Sequence, residues 1–119
     1  MPHYVDGYIL PVPLKNLPSY RRLARKMAKI FVQHGALEVR ECVGDDLAVP
    51  FGVPFPRRIP LKRGETLIFS WITCKSRADR DRVNAAVQAD PRCRPPRGTA
   101  MPFDPKRMVY GGFKVFVSR

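Results

Sequence analysis

None of the three cysteines of this 119-residue chain, Cys42, Cys74 and Cys93, has a partner at CxxC spacing, and their odd count closes no disulfide set. A disulfide framework and a cysteine-held zinc site are therefore disfavoured, and a reducing, cytoplasmic setting is expected. No cluster of metal-ligating side chains, no phosphate-cradling glycine loop and no nucleophile–base pair can be read. Metal catalysis, NTP chemistry and triad hydrolysis are disfavoured with them, and neither a metal nor a cofactor is expected. Long hydrophobic runs are also missing. Pro11, Pro13 and Pro18 break the only N-terminal apolar stretch, so neither a signal peptide nor a membrane span is expected. Acidic residues are scarce, 10 against 22 lysines and arginines, leaving a formal net charge of +12. Such a balance fits either a polyanion partner or a solvated basic surface. Arginine is spread through every segment instead of being gathered in a tail, which favours the solvated surface.

What is present belongs to a folded protein. Hydrophobic residues make up 45% of the chain, enough for a core and too many for a disordered segment. The length suits one domain, residues 1–119, with a single core. Tyr4 to Val12 reads as a first strand. Its even positions (Tyr4, Asp6, Tyr8, Leu10, Val12) and odd positions (Val5, Gly7, Ile9, Pro11) are both largely apolar, so cover is expected on both faces. Asp6 between two tyrosines forms a polar, aromatic strip that suits a ligand and suits an internal hydrogen bond equally.

From Leu17 to about His34 the period becomes helical. Tyr20, Leu23, Ala24, Met27, Ile30, Phe31 and His34 share a face, and Arg21, Arg22, Arg25, Lys26 and Lys29 lie opposite. Pro18 fits the first turn, Gly35 the C-terminal cap, and His34 reads as a packing residue. Leu37 to Val43 alternates as a second strand, with Glu41 on the same side as Leu37, Val39 and Val43. A carboxylate in an apolar row is a candidate for a raised pKa and for acid–base work; pairing with a nearby arginine is the plainer alternative. Asp45 to Arg63, rich in proline, is about twenty residues long where connections inside domains have medians of about 4–6. Its Phe51, Phe55 and Ile59 suggest that it packs onto something.

Glu65 to Lys75 is a third strand, with Leu67, Phe69 and Trp71 on one face and Ile68 and Ile72 on the other, hence burial on both. Ser76 caps a second helix, Arg77 to Ala89, with Asp79 in its first turn and Val83, Ala86 and Val87 inside. Asp90-Pro91 ends it. A basic, proline-rich link, Cys93 to Thr99, leads to the most distinctive stretch, Met101-Pro102-Phe103-Asp104-Pro105-Lys106-Arg107-Met108-Val109-Tyr110-Gly111-Gly112-Phe113. Met108 to Val117 forms the last strand. The glycine pair inside it marks a bulge or a group pressed against the backbone.

The order strand, helix, strand, strand, helix, strand predicts a ferredoxin-like βαββαβ fold. That is an α+β domain with a four-stranded antiparallel sheet and both helices on one side. Two-faced apolar strands leave the second sheet face needing cover, and a second copy of the chain supplies it most economically, giving a homodimer.

Tyr4-Val5-Asp6-Gly7, Gly35-Ala36-Leu37 with Glu41-Cys42, Phe69-Ser70-Trp71-Ile72, Arg80-Asp81, Asp90-Pro91-Arg92, Met101-Pro102-Phe103-Asp104 and Lys106-Arg107-Met108 through Phe113 resemble the YbaA-like bacterial family over nearly the whole chain. The resemblance implies a dimeric α+β barrel similar to antibiotic-biosynthesis monooxygenases, muconolactone isomerases and stress-responsive barrel proteins. It brings no established activity. The strong positive charge and the arginine-rich link at Cys93–Thr99 depart from the family pattern.

Two functions follow as expectations. The first is a small-molecule site, and with it a cofactor-independent enzyme, between helices and sheet. Asp6 and Glu41 are its candidate catalytic acids and bases. Tyr4, Tyr8, Trp71, Met101, Phe103, Asp104, Arg107 and Tyr110 are its candidate ligand contacts, with Met101–Asp104 at the mouth. The second is RNA binding through the basic helix face and Arg57, Arg58, Lys62 and Arg63, without the aromatic–basic–glycine strand pattern of RNA-recognition domains. A structural or regulatory dimer without catalysis is the third possibility.

Overall fold

The computed structural model describes residues 2–95 and 97–119; Pro96, in the basic link, lies outside the described residues. Strand β1 spans Tyr4–Pro13, helix α1 Leu17–Gln33, β2 Glu38–Val43, the short helix α2 Phe55–Arg58, β3 Glu65–Cys74, α3 Arg77–Ala89 and β4 Val109–Lys114. Single 3-10 turns occupy Leu14–Asn16, Pro91–Cys93 and Pro105–Arg107. The strands form one antiparallel sheet in the order β2-β3-β1-β4, as two split crossovers require.

Local chemistry sets the helix ends. Pro18 sits in the first turn of α1, where a missing N–H is harmless. Beyond its last turn Gly35 takes φ +117°, a conformation that L side chains rarely adopt. Ser76 caps α3 by accepting a hydrogen bond from the Asp79 N–H at 3.1 Å. Asp90, its backbone already extended ahead of Pro91, stops the helix.

Both helices pack on the sheet face formed by the even residues of β1 and β3. That face holds two apolar clusters. Ile30, Ala36, Ile72, Cys74, Val83 and Val87 form one; Leu10, Val12, Tyr20 and Ile68 form the other. Tyr8 touches both. The molecule measures 42 × 38 × 20 Å. Its thin dimension is that of one sheet plus one helix layer; one end of the opposite sheet face is covered, with Leu67 buried and Phe55 against Phe69, and the rest is bare in the single chain. Val5, Ile9, Phe69, Trp71, Val109 and Phe113 lie there, and Phe113 is 64% exposed.

Several sequence expectations change in detail. The last strand ends at Lys114, and Phe116 and Val117 beyond it are exposed. The glycine pair carries no bulge, since β1 and β4 keep one unbroken register from Tyr4↔Lys114 to Ile9↔Val109. Its cause is close approach: a Cβ on Gly112 would stand 2.5 Å from Tyr4 Oη and 2.8 Å from Arg80 Nη2. In the long connection, Phe55 packs edge-on to Phe69 and Ile59 is half-buried, but Phe51 is 92% exposed. His34 is more than a packing residue: its Nε2 lies 2.8 Å from Asp90 Oδ2, joining the end of α1 to the end of α3. No helix among the described residues is long and apolar enough to cross a membrane.

Candidate functional site

Cross-strand register puts Glu41 beside Ser70, Ser70 beside Tyr8, and Tyr8 beside Tyr110. Partners in an antiparallel ladder share a face, so these four side chains form one polar row across the helix-covered side of the sheet. The row falls between the two apolar clusters. Above it a cleft of about 500 Å³ opens between the sheet, one flank of α1 (Ser19, Leu23, Met27) and the segment following α3. Tyr8, Ser70 and Glu41 line its floor, and Phe31, Phe103 and Met108 add apolar wall. Such a mixture, mostly apolar with few convergent polar groups, is what small-molecule sites present.

Glu41 lies on the edge strand β2, and the residue as a whole is exposed. Its carboxyl group nonetheless turns under α1, where Tyr20 Oη–H donates to Oε1 at 2.7 Å. Burial pushes the Glu41 pKa above the usual carboxylate value, against the stabilising Tyr20 hydrogen bond. Among the described residues no arginine forms an ion pair with it. Burial likewise raises the two phenols. Tyr8 is pushed to about 12, with the Asp6 charge adding to the effect; Tyr20 rises further, through burial and then its bond to Glu41. Both therefore stay protonated donors at neutral pH.

The cleft's outer wall is held from two sides. Asn16 Nδ2 donates to the Pro102 carbonyl at 3.1 Å, and Phe103 meets Tyr20 edge-on with ring centroids 5.8 Å apart. Further along, Arg107 Nη1 and Nη2 donate to the two carboxylate oxygens of Glu65 at 2.6 and 2.9 Å, and Nη2 also reaches the Pro60 carbonyl.

The candidate residues are thus only partly brought together. Glu41, Tyr8, Met101 and Phe103 line one cleft. Asp6 does not join them. It is buried one row away, paired with Asp81's neighbour Arg80, whose Nε stands 3.7 Å from Asp6 Oδ1. Burial raises the Asp6 pKa while Arg80 lowers it. Tyr4 belongs to the same cluster, accepting from Arg80 Nη2 at 3.1 Å beneath the guanidinium. Trp71 is on the opposite sheet face and donates through Nε1 to Glu38 at 2.9 Å. The period of two sends residues 70 and 72 inward and 71 outward. Tyr110 stacks on Tyr8 at the sheet edge, centroids 5.7 Å apart. Asp104 accepts from the Lys106 N–H and starts a 3-10 turn, and Arg107 is engaged by Glu65. Sequence reasoning assigned Tyr20 to packing alone and passed over Ser70. The helical stripe hid the one, and the strand register needed for the other is a tertiary property.

The architecture is a ferredoxin-like α+β fold, one four-stranded antiparallel sheet with its two long helices on one face. Over its whole length the chain superposes on a putative antibiotic biosynthesis monooxygenase from Bacillus cereus with a TM-score of 0.58, covering 96% of that chain at 12% identity. A likeness at that identity defines the fold. In sequence, the family model described as protein of unknown function DUF1428 matches residues 3–105, and the chain belongs to that family. It is 38% identical over 114 residues to the uncharacterized protein YbaA of Escherichia coli K12, covering 96% of this chain and 97% of that protein. YbaA of Shigella flexneri matches to the same extent.

Proposed function

We propose that the chain binds a small organic molecule in the cleft between α1 and the sheet, working as a homodimer through the bare sheet face. The observation that carries the first part is the Glu41–Ser70–Tyr8 row at the floor of an otherwise apolar cleft. Burying polar groups beside apolar clusters is costly unless they are hydrogen-bonded, and a bound molecule would add partners to the one bond that Tyr20 gives Glu41. Glu41, its pKa raised by burial, is suited to exchange a proton with an enolisable ligand. The Tyr20 and Tyr8 hydroxyls are suited to donate to the oxyanion that forms. Asp6 is left out of this role, because Arg80 and its burial outside the cleft give it a structural one.

Support for the dimer comes from the apolar composition of the exposed face, where Phe69, Val109 and Phe113 would otherwise stand in water. The three free cysteines fit a reducing, cytoplasmic setting.

Native mass spectrometry of the purified protein, followed by a fragment screen, tests the binding reading. A dimer carrying an additional small mass, or fragments that bind wild type and lose affinity in Glu41→Gln and Tyr20→Phe, is the expected result. Fragments that bind all three proteins equally would remove the row from the site.

A further inference from the structure

The chemistry of the cleft's rim points beyond binding in general to the charge of what is bound. The residues lining it include three cations, Lys26 of α1 and Arg92 and Arg94 of the segment following α3, against a single carboxylate, Glu41. The cations and the carboxylate occupy different places. Glu41 is on the floor under Tyr20, whereas the three basic residues are exposed to solvent.

Arg92 is already committed. Its Nε and Nη2 engage Asp90, and Nη1 donates to Gln33 Oε1 at 2.7 Å, so it is fixed in place with its charge largely balanced. Lys26 and Arg94 differ. Among the described residues neither forms an ion pair or donates a side-chain hydrogen bond. Two exposed cations, without an ionic partner among the described residues, thus line an apolar cleft whose one lining acid, Glu41, is already bonded to Tyr20. A ligand carrying one negative group could pair with them while placing its apolar body against Phe31, Met27 and Tyr8.

We infer that the cleft takes a small organic anion: an aromatic or aliphatic body that fills the apolar space, with a carboxylate or similar oxyanion held by Lys26 and Arg94. The inference rests on the proposed use of the cleft as a ligand site and specifies the class of ligand. It also orients the ligand. The anionic end faces the rim, and the opposite end lies beside Glu41, Ser70 and Tyr8, where any proton exchange would take place.

The probe is a panel of aryl and alkyl carboxylic acids, each matched with its primary amide, measured by calorimetric titration on wild type and two double variants. Lys26→Met/Arg94→Met removes the unpaired rim cations. Lys75→Met/Arg77→Met removes the same charge from exposed positions outside the cleft lining. Acids are expected to bind wild type about tenfold more tightly than their amides, a preference worth about 1.4 kcal/mol. That preference should persist in the second variant and vanish in the first, which keeps its affinity for the amides. Equal binding of acids and amides by wild type would overturn the inference while leaving the cleft a ligand site. So would equal loss of preference in both variants, which would trace it to the overall +12 charge. Binding of neither class would overturn the cleft as a site and the inference with it.

Discussion

Two neighbouring glycines show how differently adjacent residues are constrained. Gly111 faces the bare side of the sheet, where an added Cβ would meet only the Phe113 ring at 3.8 Å, an ordinary contact. Gly112 faces the helices, and the same methyl group would overlap Tyr4 Oη, Tyr4 Cε2 and Arg80 Nη2, all within 2.8 Å. Relief would require displacing Arg80 from its place over the Tyr4 ring and beside buried Asp6. Gly112→Ala is therefore expected to lower the denaturation free energy by about 1–3 kcal/mol. Gly111→Ala should change it by no more than about 0.5 kcal/mol. Urea titrations of the two variants check this, and equal costs would mean that the approach at Gly112 relaxes freely. At this scale the sequence was informative about types and poor about placement. The glycine pair announced a bulge or a close approach, and Glu41 in an apolar row a perturbed carboxyl or an arginine partner; in each case the fold decided between them. Nothing in the chain said that Trp71 turns away from the cleft. Both faces of β3 are apolar, so alternation separates Phe69 and Trp71 from Ile68 and Ile72 without saying which set the helices cover.

Elements are joined by a few polar clamps, and the one between Glu65 and Arg107 holds the turn that leads to Met108, a cleft-lining residue. It ties the start of β3 to the turn before β4 and, through the Pro60 carbonyl, to the end of the long connection. The hydrogen bonds from Arg107 hold the Glu65 carboxyl below its ordinary value of 4.5. A carboxylate with a depressed folded pKa contributes stability that is complete above its unfolded value and is lost as pH falls through the folded one. The melting temperature of wild type should therefore exceed that of Arg107→Met by a constant margin above about pH 5, and the margin should shrink on acidification. Parallel pH profiles for the two proteins would assign the clamp no electrostatic part in stability. Elements were the most legible scale. The second long helix was readable to the residue, because Ser76 and Asp90-Pro91 are unambiguous local signals. The four strands followed from apolar runs, with ends shifted by a few residues. The clamp was not readable: Glu65 and Arg107 lie 42 residues apart, and pairing at that distance is decided by the fold.

For the molecule as a whole, the exposed side of the sheet is the largest feature a single chain leaves unresolved. Phe113 projects from the edge strand β4, its ring lying over Gly7 and Gly111 and belonging to neither buried cluster. Phe113→Asp should convert the expected dimer into a folded monomer, seen as a halved mass in sedimentation equilibrium with unchanged far-ultraviolet dichroism. The wild-type melting temperature should rise with protein concentration and that of the variant should not. A wild-type monomer would overturn the two-fold contact and return Phe69, Trp71 and Phe113 to consideration as a stacking surface for nucleic acid.

The sheet order has a further consequence, in time instead of space. Strand β1 is made first, yet it occupies an interior position of the sheet and is flanked by β3 and β4, the last two strands to be made. During synthesis residues 4–13 have no partner until residues 65–74 emerge, and their second ladder waits for residues 109–114. Closing loops of that length costs chain entropy before any strand pairing repays it. The helices are local and form early; the sheet assembles around a strand that has been waiting for almost the whole chain. Of the four strands, the apolar first one is thus exposed longest to wrong partners during synthesis.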